Sequence, residues 1–132
     1  MNDRRIWVEV PLADFMDKFD YAVKQQGFSF LCTITGLDEG EYLAFIYHLA
    51  GKNGVVLNIK TRALKDKEII KTVTDYFPCA AIYERELVDL FGAKIEGLPE
   101  GIRYPLPDDW PIGECPLRKD WDPSVLDKKG EK

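Results

Sequence analysis

Two hydrophobic periods alternate along the chain. Leu12, Phe15, Met16, Phe19, Ala22 and Val23 recur at three- and four-residue spacing, which is one face of a helix. Pro11 suits its first turn, where a missing N–H costs nothing, and Gly27 stops it. Ahead of this helix, Ile6, Trp7, Val8 and Val10 lie in residues 3–10, a stretch readable as an edge strand or a lead-in. Three runs rich in aromatic and β-branched residues follow, at 28–35, 41–50 and 55–61. The links between them, residues 36–40 and 51–54, carry turn residues, and Asn53-Gly54 is a hairpin signal. Short links between successive strands predict an antiparallel meander.

The helical period then returns. Ile69, Ile70, Val73, Tyr76 and Phe77 predict a helix over 66–77, with Asp66 as its N-cap and Pro78 as its stop. Tyr83, Leu87, Leu90 and Phe91 predict a third over 81–91, closed by Gly92. The expected fold is therefore α+β. Residues 1–97 should form an antiparallel three- to four-stranded sheet with helices packed on one face. Six prolines stand from residue 99 onward, with Trp110 and Trp121 among them. Prolines forbid regular ladders there, and tryptophans are uncommon in free disorder. Residues 98–132 are expected to be an extended, proline-rich docking arm.

Composition narrows the function. The 132 residues carry 18 Lys and Arg against 23 Asp and Glu, a net charge of −5 without a basic cluster, which speaks against nucleic-acid binding. No apolar run reaches the roughly 20 residues that span a bilayer. No hydrophobic leader opens the sequence, so secretion is not expected. Cys32, Cys79 and Cys115 are odd in number and far apart, which favours reduced thiols, with Cys32 expected in the core of a strand. With His48 the only histidine, ligands for zinc or an iron–sulfur cluster are too few, and no cofactor is expected in this chain. His48 itself has no nucleophile or acid at a telling spacing, so a structural role outweighs a catalytic one.

The densest charge cluster is Glu84-Arg85-Glu86-Leu87-Val88-Asp89, in which Arg85 and Asp89 stand at the spacing of a helical ion pair. Pro107-Asp108-Asp109-Trp110-Pro111 reads as a turn, since adjacent acids point apart and make no dyad. Neither cluster holds a nucleophile–base pair, so a free-standing enzyme using Glu84, Glu86 or His48 as base is disfavoured.

Three ordered motifs across residues 83–120 change the picture. They are Glu84-Arg85-Glu86-x-x-Asp89-x-Phe91-Gly92, then Leu106-Pro107-Asp108-Asp109-Trp110, then Pro116-Leu117-Arg118-Lys119-Asp120. Together they resemble the 30-kilodalton subunit of respiratory complex I, the NADH:quinone oxidoreductases, a family with relatives in membrane-bound energy-converting [NiFe] hydrogenases. Gly97-Leu98-Pro99 and Ile102 depart from the respiratory wording and, with Trp110-Pro111, look more like the hydrogenase branch. The resemblance implies a peripheral protein on the cytoplasmic side of a membrane, without an active site of its own. It implies docking on a large subunit, beside a small iron–sulfur subunit and ion-translocating membrane subunits. The [NiFe] centre and iron–sulfur clusters would belong to those partners. Glu84, Arg85, Glu86 and Asp89 would serve the interface or the fold. Pro107, Asp108, Asp109 and Trp110, and then Pro116 to Asp120, would be contacts made by the arm. The alternative is the same 30-kilodalton subunit in a quinone-reducing complex I.

Overall fold

The computed structural model describes residues 5–52, 54–99, 114–122 and 124. Strand β1 (Arg5–Glu9) leads through a 3-10 turn, Leu12–Asp14, into helix α1 (Phe15–Lys24). Three nine-residue strands follow, β2 (Phe30–Asp38), β3 (Tyr42–Ala50) and β4 (Val56–Leu64). Then come β5 (Ile70–Lys71), helix α2 (Ala80–Phe91) and β6 (Ile95–Glu96).

The meander β2–β3–β4 is antiparallel as expected, but the sheet is mixed. Its order is β1-β4-β3-β2, and β1 lies parallel to β4, with Arg5 opposite Val56 and Glu9 opposite Lys60. The helical link through α1 carries the chain across the sheet, which a parallel neighbour requires and a short turn cannot supply. Residues 36–38, expected in a turn, extend β2, because Gly36, Leu37 and Asp38 pair with Phe45, Ala44 and Leu43.

The helix expected over 66–77 does not form. Asp66 has a φ of +61°, which no N-cap adopts. Ile70 N–H donates to the Lys94 carbonyl at 2.9 Å and Thr72 N–H to the Glu96 carbonyl at 2.8 Å, so the segment pairs with β6 instead. Ile69, Ile70, Thr72, Val73 and Thr74 are all β-branched, and such residues lose χ1 freedom in a helix. Isolated turns form instead at the segment's two ends, where Lys67 and Glu68 donate to the Leu64 carbonyl and Tyr76 and Phe77 to the Val73 carbonyl.

Both helices cover one face of the sheet. The Tyr47 ring lies 4.8 Å from Phe15 and 5.6 Å from Phe19, centroid to centroid, and Phe19 also meets Tyr76 and Phe77. Phe19 and Tyr47 are fully buried, which makes this aromatic cluster the centre of the core. Tyr76 fastens α1 as well, its hydroxyl donating to Asp20 at 2.7 Å. Gly36 on β2 sits beneath α2. A Cβ there would stand 2.7 Å from Leu87 Cδ2 and 2.8 Å from Phe91, so this position must be glycine for helix and strand to approach so closely.

The opposite face carries Trp7, Asn58 and His48 in a row across the strands. Asn58 Nδ2 donates to the Ile6 carbonyl and so presents Oδ1 to His48 Nδ1, 2.5 Å away. His48 Nδ1 therefore carries the proton, and Nε2 accepts from the Thr35 hydroxyl at 2.8 Å. With both ring nitrogens engaged, the structural reading of His48 holds. Cys32, expected in the core, is exposed instead. A bulge between Leu31 and Thr33 displaces it from the ladder.

Candidate docking site

Helix α2 is positioned by its ends and its underside. Pro78 precedes it, and Gly92, at φ +74°, ends it in a left-handed conformation that glycine adopts without penalty. Leu87 packs against the sheet. The first-motif charges then separate into different tasks.

Glu84 points inward and is fully buried. One carboxylate oxygen accepts from the Thr72 hydroxyl at 2.5 Å and the other from the Val73 N–H at 2.8 Å. Burial pushes its pKa up, while these two bonds pull against the rise. Tyr47 lies within electrostatic reach. Burial, then the Glu84 charge, pushes its phenol well above the ordinary tyrosine value, and its hydroxyl has no hydrogen-bond partner among the described residues. Glu84 thus locks α2 to the segment that failed to become a helix. Its side chain has no exposed surface in this chain.

Arg85 makes no ion pair with Asp89 among the described residues. Its guanidinium instead donates to the Pro99 carbonyl at 2.7 Å. Asp89 is half-buried, and one of its carboxylate oxygens is enclosed without a partner among the described residues. Arg85 and Glu86 remain accessible, as does the neighbouring Ile82, at 49% exposure. This outward side of α2 is the part of the first motif that a partner could touch.

The third motif folds back on its own domain. Leu117 N–H donates to the Leu90 carbonyl at 2.9 Å, and the buried Cys115 thiol reaches the Val88 carbonyl at 3.9 Å. Arg118 spans Asp66, at 3.0 and 3.1 Å, and Asp120, at 3.0 Å. Lys119 N–H donates to Asp38 at 2.6 Å. Pro116 lies in a turn closed by Arg118 N–H on the Cys115 carbonyl, Lys119 in the next, closed by Trp121 N–H on the Arg118 carbonyl, and Leu117 leaves half its surface exposed. Pro107, Asp108, Asp109 and Trp110 lie outside the described residues.

Asp38 and Lys65 were not singled out by sequence, and Asp66 only as a helix cap, yet all three anchor this segment. The Asp38 carboxylate receives Lys65 Nζ at 2.6 Å, Gly40 N–H at 2.9 Å and Lys119 N–H. Burial alone would raise its pKa. The bonds from Lys65, Lys119 and Gly40 outweigh that and hold it at about 2. A signal was present in Asp38-Glu39-Gly40, since an Asp two residues before a glycine often bonds that backbone. Among the described residues no group of three His, Cys, Asp or Glu is arranged to hold a metal ion, and no helix is long and apolar enough to cross a membrane.

The family model for the respiratory-chain NADH dehydrogenase 30-kilodalton subunit matches residues 8–125. The chain belongs to this family. Among its relatives, a subunit of the F(420)H(2) dehydrogenase of Methanosarcina mazei is 38% identical over 98 residues, 72% of this chain and 61% of the relative. The beta subunit of the membrane-bound hydrogenase of Pyrococcus furiosus is 30% identical over 120 residues, 88% of this chain and 69% of the relative. The chain thus spans roughly two thirds of each of these relatives. A chain in the structure of the membrane-bound sulfane sulfur reductase, an archaeal respiratory membrane complex, superposes with a TM-score of 0.83 at 32% identity. That match covers 98% of this chain and 79% of the other. The mixed sheet with two helices on one face is thus a fold this chain shares with that structure.

Proposed function

We propose that the chain is a non-catalytic peripheral subunit of a membrane-bound energy-converting [NiFe] hydrogenase, docked on its large catalytic subunit. The observation that carries this reading is the near-complete structural match to a chain of a respiratory membrane complex. The 88% coverage by a hydrogenase relative and the wording at Leu98 and Ile102 favour the hydrogenase form. Ferredoxin oxidation, hydrogen evolution and ion translocation would occur in the partners, which would hold the nickel–iron centre and the iron–sulfur clusters. This chain would contribute the outward side of α2 and its C-terminal arm. Charges at such a surface set register more than affinity, whereas apolar anchors such as Ile82 supply binding energy.

A tagged copy purified from its own host should bring down a nickel-containing large subunit and iron–sulfur proteins. Ile82→Glu should release them while the chain stays folded. A tagged chain that elutes alone, without nickel, would sink the proposal. A nickel-free assembly that reduces quinone would assign the chain to the complex I form instead.

A further inference from the structure

Strand β1 is the end strand of the sheet, and nothing among the described residues pairs with its outer edge. Val10 N–H donates to the Lys60 carbonyl, toward β4. In a parallel ladder alternate residues face alternate sides, so Arg5, Trp7 and Glu9 turn their main-chain donors and acceptors outward. Such an edge is a template for another strand.

The side chains on this edge are self-complementary. The strand reads Arg5-Ile6-Trp7-Val8-Glu9, with a base at one end, an acid at the other, and apolar residues between. We propose that β1 pairs antiparallel with β1 of a second copy about a two-fold axis at Trp7, joining two sheets into one. Arg5 then stands opposite Glu9 of the other copy, Ile6 opposite Val8, and Trp7 opposite its own equivalent. The three outward-facing positions become hydrogen-bonded pairs, each exchanging two main-chain bonds. Each cross-strand pair joins groups that attract: opposite charges twice, and apolar groups between them.

The surroundings fit such an occupant. Ile6, Trp7 and Val8 are 42%, 61% and 41% exposed, a high exposure for three consecutive apolar residues. Ile6 and Val8 border an open groove of about 500 Å³ between β1 and α1, lined also by Tyr21, Phe28 and Leu57. The second copy's Ile6 and Val8 enter on that side of the sheet and extend its apolar surface. Trp7 lies on the other side, edge-on to His48, where its equivalent covers it. Glu9 already meets Arg62 at 3.2 Å, both side chains about half exposed, so the incoming Arg5 joins an existing ion pair rather than a bare acid. A two-fold, isologous contact of this kind closes at two copies and does not propagate.

The test uses the full chain in sedimentation equilibrium, with far-UV circular dichroism to confirm folding. The wild type should dimerise. Arg5→Glu and Glu9→Arg should each weaken the dimer by about tenfold or more, because each sets like charges opposite one another at both ends. Mixing the two variants should restore association, since an all-acidic strand then meets an all-basic one. Trp7→Cys, in a Cys32→Ser/Cys79→Ser background, should oxidise to a covalent dimer, because hydrogen-bonded partners sit about 5.5 Å apart at Cα. A wild type that stays monomeric at all concentrations overturns the inference, and so does a dimer indifferent to both reversals. Neither result bears on docking through α2, which lies on a different element.

Discussion

Replacing Asp38 with Asn tests the junction between the meander and the C-terminal turn. The Asp38 side chain is 2% exposed and Lys65 is 10% exposed, so their ion pair is shielded from water. A carboxylate held at about 2 in the fold and at 3.8 in the unfolded chain contributes about 2 kcal/mol of stability at neutral pH. Water at the rim lowers this to about 1–2 kcal/mol. The folded pKa is depressed, so this stability is complete above the unfolded value and is lost as pH falls through 3.8 toward 2. Asn can still accept from Lys119 N–H, but it leaves the Lys65 ammonium facing a neutral amide. Urea unfolding at pH 7 should show Asp38→Asn less stable by about 1–2 kcal/mol, and by roughly half as much at pH 3. Amide exchange at Leu117 should also quicken in the variant, since Lys119 no longer meets an anion. A deficit that stays constant from pH 7 to pH 3 would refute the reasoning, because it would owe nothing to ionisation.

Glu84 should behave with the opposite sign. Its folded pKa is raised by burial, so its stabilising contribution is present below the unfolded value of 4.5 and is lost as pH climbs through the folded value. Glu84→Gln can accept from Val73 N–H and donate to the Thr72 hydroxyl oxygen. It should therefore gain on the wild type as pH rises above 4.5 in urea unfolding, while Glu84→Ala should cost about 2–3 kcal/mol. Gly36→Ala drives a methyl group into Leu87 and Phe91 and should cost about 1–3 kcal/mol, read as a lower Tm. Truncation after Gly97 removes the Arg118–Asp66 and Lys119–Asp38 contacts. The urea midpoint should fall, and the acid sensitivity assigned to Asp38 should shrink with it.

The helix α1, the meander and α2 were legible because each has a single strong period and a clear stop. The mixed sheet was not, since nothing in Ile6, Trp7 and Val8 says which strand they will join. The missing helix failed for a more instructive reason. Ile69, Ile70, Val73, Tyr76 and Phe77 do repeat at helical spacing, but the same residues satisfy a short strand followed by one turn. The choice was made by groups far away in sequence, Lys94, Glu96 and Glu84. The three motifs are legible as words, and the tasks of their residues are not. Glu84 and Arg85 are neighbours in sequence, yet one is sealed in the core and the other reaches for the Pro99 carbonyl. Only the helix's orientation on the sheet separates them.

The parallel pairing of β1 with β4 also sets an order of events during synthesis. The first strand leaves the ribosome with its partner still unmade, since Arg5 must wait for Val56 and Glu9 for Lys60. The meander needs only neighbours in sequence and can close as soon as residue 64 has emerged. β1 is thus the last strand to join the main sheet, and until then its Ile-Trp-Val core travels uncovered. A nascent chain stalled just before β4 should be more exposed to chaperones and proteases at β1 than one stalled just after it.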